Sequence, residues 1–488
     1  MQIRQLLEEI EILETACDMD MEVRGIAYDS RHVSPGDVFV AVRGYQSDGH
    51  RYIGAAMEQG ASLCVCEEKP GCAIPYVLVR DTRRALALMS CAFFSHPSRG
   101  MKMIGITGTN GKTTTTYLVK HILEAQGAKV GLIGTNRNMI GGEVLETERT
   151  TPESYELQKL FDRMKRAGCT HVVMEVSSHS LVLQRVAGVR FDVGVFTNLT
   201  QDHLDFHKTM EAYCDAKAML FDVSTVGVLN ADDAAAGRLQ AHTKEALTYS
   251  AKDNANDLVA KNILLKPHGV EFIAVAEEGI ARVSLAIPGA FSVYNALAAL
   301  ACAKALGVTL ERAAAALATA QGVRGRAELV PVPAPFTVVI DYAHSPDGVE
   351  NILSAVRAGA RGRIVALLGC GGDRDRTKRP KMGAIAQKMA DFTIITSDNP
   401  RTEKPEDIIR EIVAGLDPSG KPYTVVTDRR EAIVYALEHA RTDDIIVLMG
   451  KGHETYQEIN GVKHHLDERE EVARFFASRH PVKAAPEE

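Results

Sequence analysis

The stretch GITGTNGKTTTT at 105–116 runs an apolar segment into a glycine-rich turn and opens a helix at Lys112-Thr113. Such a loop surrounds phosphate oxygens with backbone N–H groups and a helix N-terminus. Gly108 and Gly111 permit close backbone approach, Lys112 would reach the β- and γ-phosphates, and the Thr113 hydroxyl would ligate Mg²⁺. The strict pattern GxxxxGK[ST] fails, because Ile106 stands where its first glycine belongs, so the loop is a variant. A turn with a chance lysine is the bland alternative, and the strand, loop and helix in succession weigh against it. THVVMEVSSHS ends an apolar run on Glu175, and FTNLTQDHLDFH places Asp202, His203, Asp205 and His207 just past another. One acid or histidine at a strand end is often a cap or turn residue, but two such groups beside a phosphate loop suit a hard cation. Lys217, in EAYCDAKAMLF, reads as an ordinary surface or salt-bridge lysine. In TSDNPRTEKP at 396–405, an Asp and an Arg flank Asn-Pro after a strand. The motif could simply turn the chain, or it could hold a molecule carrying both an amine and a carboxylate.

These residues need a scaffold of strands ending on one side. KMIGITGT, AKVGLIG, THVVMEV, FDVGVFTNL and VGVLN read as buried parallel strands, with helical stretches such as TTTTYLVKHILEAQG between them. This alternation predicts a doubly wound sheet, whose ligands sit beyond the carboxyl ends of its strands. Residues 250–285 suggest a few antiparallel strands, and Ala-rich helices follow over 290–320. A second rhythm begins after 330, with FTVVIDY, GRIVALLGC, DFTIITSD and DIIVLMG as strands, and PVPAPF at 331–336 reads as the connector between the rhythms. A smaller mixed unit precedes residue 98, with FFSHPSRG as its linker.

The 488 residues suffice for about three domains. A net charge of −7 argues against a broad nucleic-acid footprint, and nucleic acid is not expected as a partner. Nine cysteines without a CxxC pair read as reduced thiols. The acidic, amphipathic N-terminus is unlike a secretory signal. The longest apolar stretch, 287–308, is interrupted by Asn295 and Lys304 and reads as a buried helix, so membrane insertion is not expected. A cytoplasmic monomer is the expectation.

TGTNGKTT, MEVSSH, NLTQDHLDFH, AKAMLF, GRAE and DYAHSPD together resemble the Mur ligases of peptidoglycan synthesis, in order and over almost the whole chain. YDSR at 28–31 and DNPR at 398–401 resemble the members that add meso-2,6-diaminopimelate to UDP-N-acetylmuramoyl-L-alanyl-D-glutamate (UDP-MurNAc-L-Ala-D-Glu). The resemblance implies an α/β fold of three domains. These are a small mixed UDP-sugar-binding domain at 1–98, a central P-loop-type doubly wound ATPase domain at 99–328, and a Rossmann-like amino-acid-binding domain at 329–488. It implies ATP and Mg²⁺, with ATP held by Gly108, Thr109, Asn110, Gly111, Lys112, Thr113 and Thr114, and by Asn295, Arg326, Asp341 and His344. Metal contacts would come from Thr113, Glu175, His203 and Lys217, the last falling where the family carries a carbamylated lysine. Lys112, Lys217 and His203 would be catalytic. The UDP-sugar would meet Tyr28, Ser30, Tyr45, Gln46, Ser47, Thr150, Thr151, Ser177 and Arg185. Leu183 departs from relatives that carry Gln there, and either the following Gln184 takes over that contact or the contact is absent.

The same resemblance assigns DNPR to the pocket of the incoming amino acid; relatives that add lysine carry a different motif. Arg401 and Arg374 would grip a carboxylate, Arg through a planar fork. Asp398, Asn399 and Pro400 would shape the site, and Gly450 and Glu454 would face the distal ammonium. Three alternatives compete. The lysine-adding ligase is opposed by DNPR, and a folylpolyglutamate synthase by YDSR and the extra N-terminal unit. A nucleotide-binding module without turnover is opposed by the intact loop lysine and metal-ligand candidates.

Overall fold

The computed structural model describes residues 1–44, 47–147, 149–266, 268–357 and 359–479. Three main sheets follow one another along the chain. The first has five strands in the order Ile12–Thr15, Tyr76–Val79, Leu63–Cys66, Asp37–Val40, Gly25–Ala27, and only the outermost pair is antiparallel.

The second sheet has eleven strands. Its centre is parallel, with Phe191–Phe196, Lys102–Thr107, His171–Glu175 and Val130–Ile133 side by side. These strands are almost continuously apolar because helices cover both faces. Helices Lys112–Ala125, Ala290–Ala305 and Leu310–Leu317 pack on one face. Helices Ser154–Arg166 and Met210–Asp222 pack on the other. The apolar stretch near 290–305 is a buried helix, whose run of alanines lets it lie close to helix Lys112–Ala125 and the sheet. Strands Leu258–Lys266, Gly269–Ala276 and Gly279–Leu285 are antiparallel, as the pattern predicts, and they extend this same sheet. An antiparallel pair, Asn138–Ile140 and Glu143–Leu145, forms its other edge; the residue pattern does not signal it.

The third sheet orders its six strands as Glu328–Val330, Thr337–Asp341, Ile445–Met449, Ile364–Leu368, Phe392–Ile395, Tyr423–Val425, parallel but for the first. PVPAPF therefore joins two antiparallel strands within this sheet and does not connect the two rhythms. A hairpin, Tyr456–Ile459 with Val462–His465, stands apart from the sheet. All nine cysteines are free. Among the described residues, no helix is long and apolar enough to cross a membrane.

Candidate active site

The parallel strands Lys102–Thr107, His171–Glu175 and Phe191–Phe196 end on one side, so the phosphate loop, Glu175 and the 197–207 loop converge there. Gly108 has φ +151° and Gly111 φ +84°, and a Cβ on either would strike the side chain of Thr197 or Asn295. The loop is pinned from the neighbouring strand: Asn110 N donates to Asn198 Oδ1 at 2.9 Å and Thr197 Oγ1 donates to Asn110 O at 2.6 Å. Lys112 Nζ donates to Gly108 O and Thr109 O at 2.8 Å, and burial lowers its pKa. Arg326 donates to Thr113 Oγ1 at 3.1 Å, bringing the GRAE loop to the first turn of the phosphate helix. A cavity of about 480 Å³ opens beside the loop, lined by Asn110, Gly111, Thr114, Asn295, Arg326 and Asp341 among the predicted residues. His344 lines a second, larger cavity instead.

Glu175 is buried, its carboxylate accepting from Thr135 N and Thr135 Oγ1 at 2.9 Å. His203 has φ +55°, a left-handed conformation that costs a non-glycine residue roughly 1 kcal/mol or more and concentrates at functional sites. Desolvation in the cleft pushes the His203 pKa down to about 3, so its imidazole is neutral. Asp202 is buried behind it. Burial opposes its ionisation, but contact with His344 and the Lys378 charge outweigh burial and keep it a carboxylate. His207 is committed to packing, with Nε2 2.8 Å from Ser178 Oγ.

Lys217 corrects the expectation from sequence: it is no surface lysine but only 1% exposed, its Nζ 4.3 Å above the Tyr213 ring. Burial, aided by the nearby Lys112 charge, lowers its pKa well below the usual lysine value. Its neighbour Tyr213 also packs against His203, so one ring links the lysine to the predicted metal ligand. A desolvated, neutral amine is nucleophilic. Among the described residues, no three His, Cys, Asp or Glu side chains gather as a ready metal site. The hydroxyl of Thr113, the carboxylate of Glu175 and neutral His203 nevertheless suit a hard divalent cation, the more so if Lys217 became a carbamate.

The larger cavity, about 920 Å³, lies between the second and third sheets. Thr150, Asp202 and His203 line it from one side; Arg374, Asp398, Asn399, Arg401, Gly450 and Glu454 line it from the other. Pro400 is buried beneath and does not line it. Arg401 also has positive φ, +52°, and the hairpin holds it there: its N–H donates to Glu458 O at 3.1 Å and its carbonyl accepts from Asn460 N at 2.8 Å. Its Nε pairs with Glu458 at 3.1 Å and one terminal nitrogen donates to Gly372 O at 2.8 Å. Asp398 is 7% exposed, with Oδ2 lacking a hydrogen-bond partner. Burial would raise its pKa, but Lys451 and Arg429 hold it below the usual range. Glu454 accepts from Asn399 Nδ2 at 2.8 Å and Lys451 Nζ at 2.7 Å.

Of the residues assigned to the UDP-sugar, four cluster at the end of strand His171–Glu175. Thr150 Oγ1 lies 3.0 Å from Thr135 Oγ1, Thr151 Oγ1 donates to Glu175 O at 2.9 Å, Ser177 N donates to Thr151 Oγ1 at 3.2 Å, and Arg185 donates to Thr151 O at 3.2 Å. Tyr28 donates to Glu156 at 2.8 Å, tying the first sheet to helix Ser154–Arg166. Ser30 sits in a short 3₁₀ turn, and the exposed Ser47 lies 3.1 Å from the Tyr52 hydroxyl. Tyr45 and Gln46 lie outside the described residues. Gln184 takes a left-handed φ of +57° just after Leu183, which caps a short helix.

Sequence reasoning missed Lys378, Lys451 and Asp347. Asp347 accepts from Asn110 Nδ2 at 2.5 Å, Lys378 sits 3.6 Å from Asp202, and Lys451 is fully buried under the DNPR loop. Each lies in or beside a motif legible in the sequence, and only the fold reveals its partner.

Comparison with known proteins places the chain in a family. Residues 22–93 match the Mur ligase family catalytic domain, 106–303 the Mur ligase middle domain, and 325–452 the Mur ligase glutamate ligase domain. The chain belongs to the Mur ligase family. It is 45% identical over 482 residues to UDP-N-acetylmuramoyl-L-alanyl-D-glutamate–2,6-diaminopimelate ligase 1 of Clostridium acetobutylicum, covering 97% of this chain and 99% of that one. It is 47% identical over 464 residues to the ligase of the same name from Caldanaerobacter subterraneus, covering 94% and 95%. A solved structure of such a ligase is 33% identical with a TM-score of 0.70, covering 98% and 99%. The MurF ligase from Thermotoga maritima, solved with ADP, shares the fold at 20% identity and a TM-score of 0.63, covering 94% and 98%.

Proposed function

We propose that this chain is an ATP-dependent ligase that joins meso-2,6-diaminopimelate to the D-glutamate of UDP-MurNAc-L-Ala-D-Glu in peptidoglycan precursor synthesis, working as a cytoplasmic monomer of three domains cut near 98 and 328. The relatives' names support the reaction. One juxtaposition supports the chemistry: the DNPR loop and His203 line one cavity, beside the phosphate loop.

The γ-carboxylate of D-glutamate attacks the γ-phosphate of ATP, ADP leaves, and an acyl phosphate forms. Lys112 neutralises charge on the transferred group. Thr113, Glu175, His203 and carbamylated Lys217 would hold Mg²⁺, which supplies further charge neutralisation there. The amine of diaminopimelate then attacks the acyl carbon, and the tetrahedral intermediate expels phosphate. The sheets close on each other through Asn110–Asp347 and Asp202–His344 contacts, which keeps water from the acyl phosphate. Asn295, Arg326 and Asp341 surround the nucleotide. Thr150, Thr151, Ser177, Arg185 and Tyr28 take the UDP-sugar. Arg401 and Arg374 take the distal carboxylate. L-lysine lacks that carboxylate and would leave Arg401 with Glu458 alone and Arg374 without a carboxylate to grip, which disfavours it.

The test is phosphate release from ATP and Mg²⁺ with UDP-MurNAc-L-Ala-D-Glu, comparing meso-diaminopimelate with L-lysine. Release with diaminopimelate alone supports the reading. Release with lysine instead overturns the assignment of DNPR, and release with neither overturns the ligase.

A further inference from the structure

Lys451 is 0% exposed, a rare state for a lysine unless its charge is matched. Its Nζ donates to Asn399 Oδ1 at 2.8 Å and to Glu454 Oε2 at 2.7 Å, and it sits 5.2 Å above the Tyr456 ring. Asn399 Oδ1 also accepts from Glu458 N at 2.9 Å, while its Nδ2 donates to Glu454. The lysine and the Glu458 N–H thus together fix the Asn399 amide oxygen, while Glu454 holds its nitrogen. The nearby Arg429 is already matched by Glu468 at 2.7 Å, and Arg401 by Glu458 at 3.1 Å. Immediately around Asn399, what remains is Asp398 and Glu454 against Lys451: two carboxylates and one ammonium, with Arg374 farther along the same cavity lining. The surplus in this cluster is one negative charge, and it falls on Asp398, whose Oδ2 has no hydrogen-bond partner and meets Arg429, itself held by Glu468, only at 3.8 Å.

We propose that Lys451 is a specificity-determining positioning residue: by neutralising Glu454 and helping to orient Asn399, it leaves the Asp398–Glu454 wall of the pocket with one net negative charge, the complement of one ammonium group on the incoming amino acid. This rests on the ligase reading and deepens it. Without Lys451, two carboxylates would face one ammonium and Asn399 would lose one of its two orienting donors. Without Glu454 alone, lysine and Asp398 would cancel and the ammonium would lose its counter-charge. Removing both restores the surplus of one.

The experiment measures the KM for diaminopimelate and for ATP in wild type, Lys451→Met, Glu454→Gln and the double variant, with melting curves for each. Wild-type release of phosphate with diaminopimelate is measured first, and its absence overturns this inference together with the ligase reading. With wild type active, Lys451→Met is expected to raise the diaminopimelate KM about 10²-fold, the scale of stranding a buried charge, while the ATP KM stays within about twofold. The double variant is expected to bind diaminopimelate at least about tenfold better than Lys451→Met, a rescue that a merely structural lysine would not allow. An unchanged KM, an equal rise in the ATP KM, or a double variant no better than Lys451→Met overturns the proposal while leaving the ligase intact. Should Lys451→Met fail to fold, the double variant against Glu454→Gln decides: a lower diaminopimelate KM supports it, and an equal or higher one overturns it.

Discussion

Asp202 Oδ2 lies 3.6 Å from His344 Nε2, so a carboxylate at the end of one sheet's strand meets an imidazole from the next sheet. Lys378 approaches the other oxygen at 3.6 Å. Asp202 itself also accepts the N–H of His203 at 2.9 Å, so the residue that gathers the third sheet also sets the backbone of the predicted metal ligand. Asp202→Asn keeps the shape and removes the charge. It is expected to lower kcat about 10²-fold with nucleotide binding little changed, because the charge pairs with His344 and Lys378 across the two sheets and does not line the cavity beside the phosphate loop. Steady-state phosphate release beside a fluorescent-nucleotide titration checks this, and an unchanged kcat would show that closure does not need the pair.

Burial lowers the Lys217 pKa well below the usual lysine value, which favours the neutral amine. Carbon dioxide adds to neutral amines, converting a would-be cation into an anion. Carbon-13 bicarbonate should therefore give a carbamate resonance in the wild-type protein that is missing from Lys217→Met. The same variant should lose about 10² or more in turnover, as when a charge-stabilising group is removed. A resonance that persists in Lys217→Met would place the modification elsewhere.

Arg401 presents its guanidinium from a strained backbone locked by the hairpin. Arg401→Lys keeps the charge and gives up the planar fork. Its diaminopimelate KM should rise about tenfold to 10²-fold, roughly one to three kcal/mol being the scale of a charged hydrogen bond. The ATP KM should not move. Kinetics with each substrate varied in turn decides it, and a parallel change in both values would count against a role confined to the amino acid.

Acid should weaken the third unit through Glu403. Hydrogen bonding to Arg379, whose side chain is fully buried, lowers the Glu403 pKa from the ordinary 4.5 to about 2. A depressed folded value stabilises above the unfolded value, and the stability is lost as pH falls from about 4.5 through about 2. Glu403 is partly exposed, so the contribution is about 2 kcal/mol. Urea unfolding from about pH 6 down to about 3 should show wild type losing its advantage over Glu403→Gln. A constant gap across that range would contradict the pairing.

The amino-acid sequence by itself determined the strand-and-loop grammar. Runs such as KMIGIT and IVALL must be buried on both faces, and GTNGKT can close only with glycines at 108 and 111. These are local facts, since periodicity and backbone freedom act over a few residues. The family motifs, each legible in order, carried the assignment of DNPR. Only the tertiary structure decided what these residues face. Lys217 reads as a surface lysine because its helix is unremarkable in sequence; in the fold it is buried against Tyr213, whose hydroxyl meets Thr109 of the phosphate loop. PVPAPF reads as a connector because prolines break elements, yet strand Glu328–Val330 pairs across it. Lys451, Lys378 and Asp347 gave no signal because the groups that neutralise or engage them lie on other segments. Charge compensation is a property of distance in space, and spacing along the chain does not encode it.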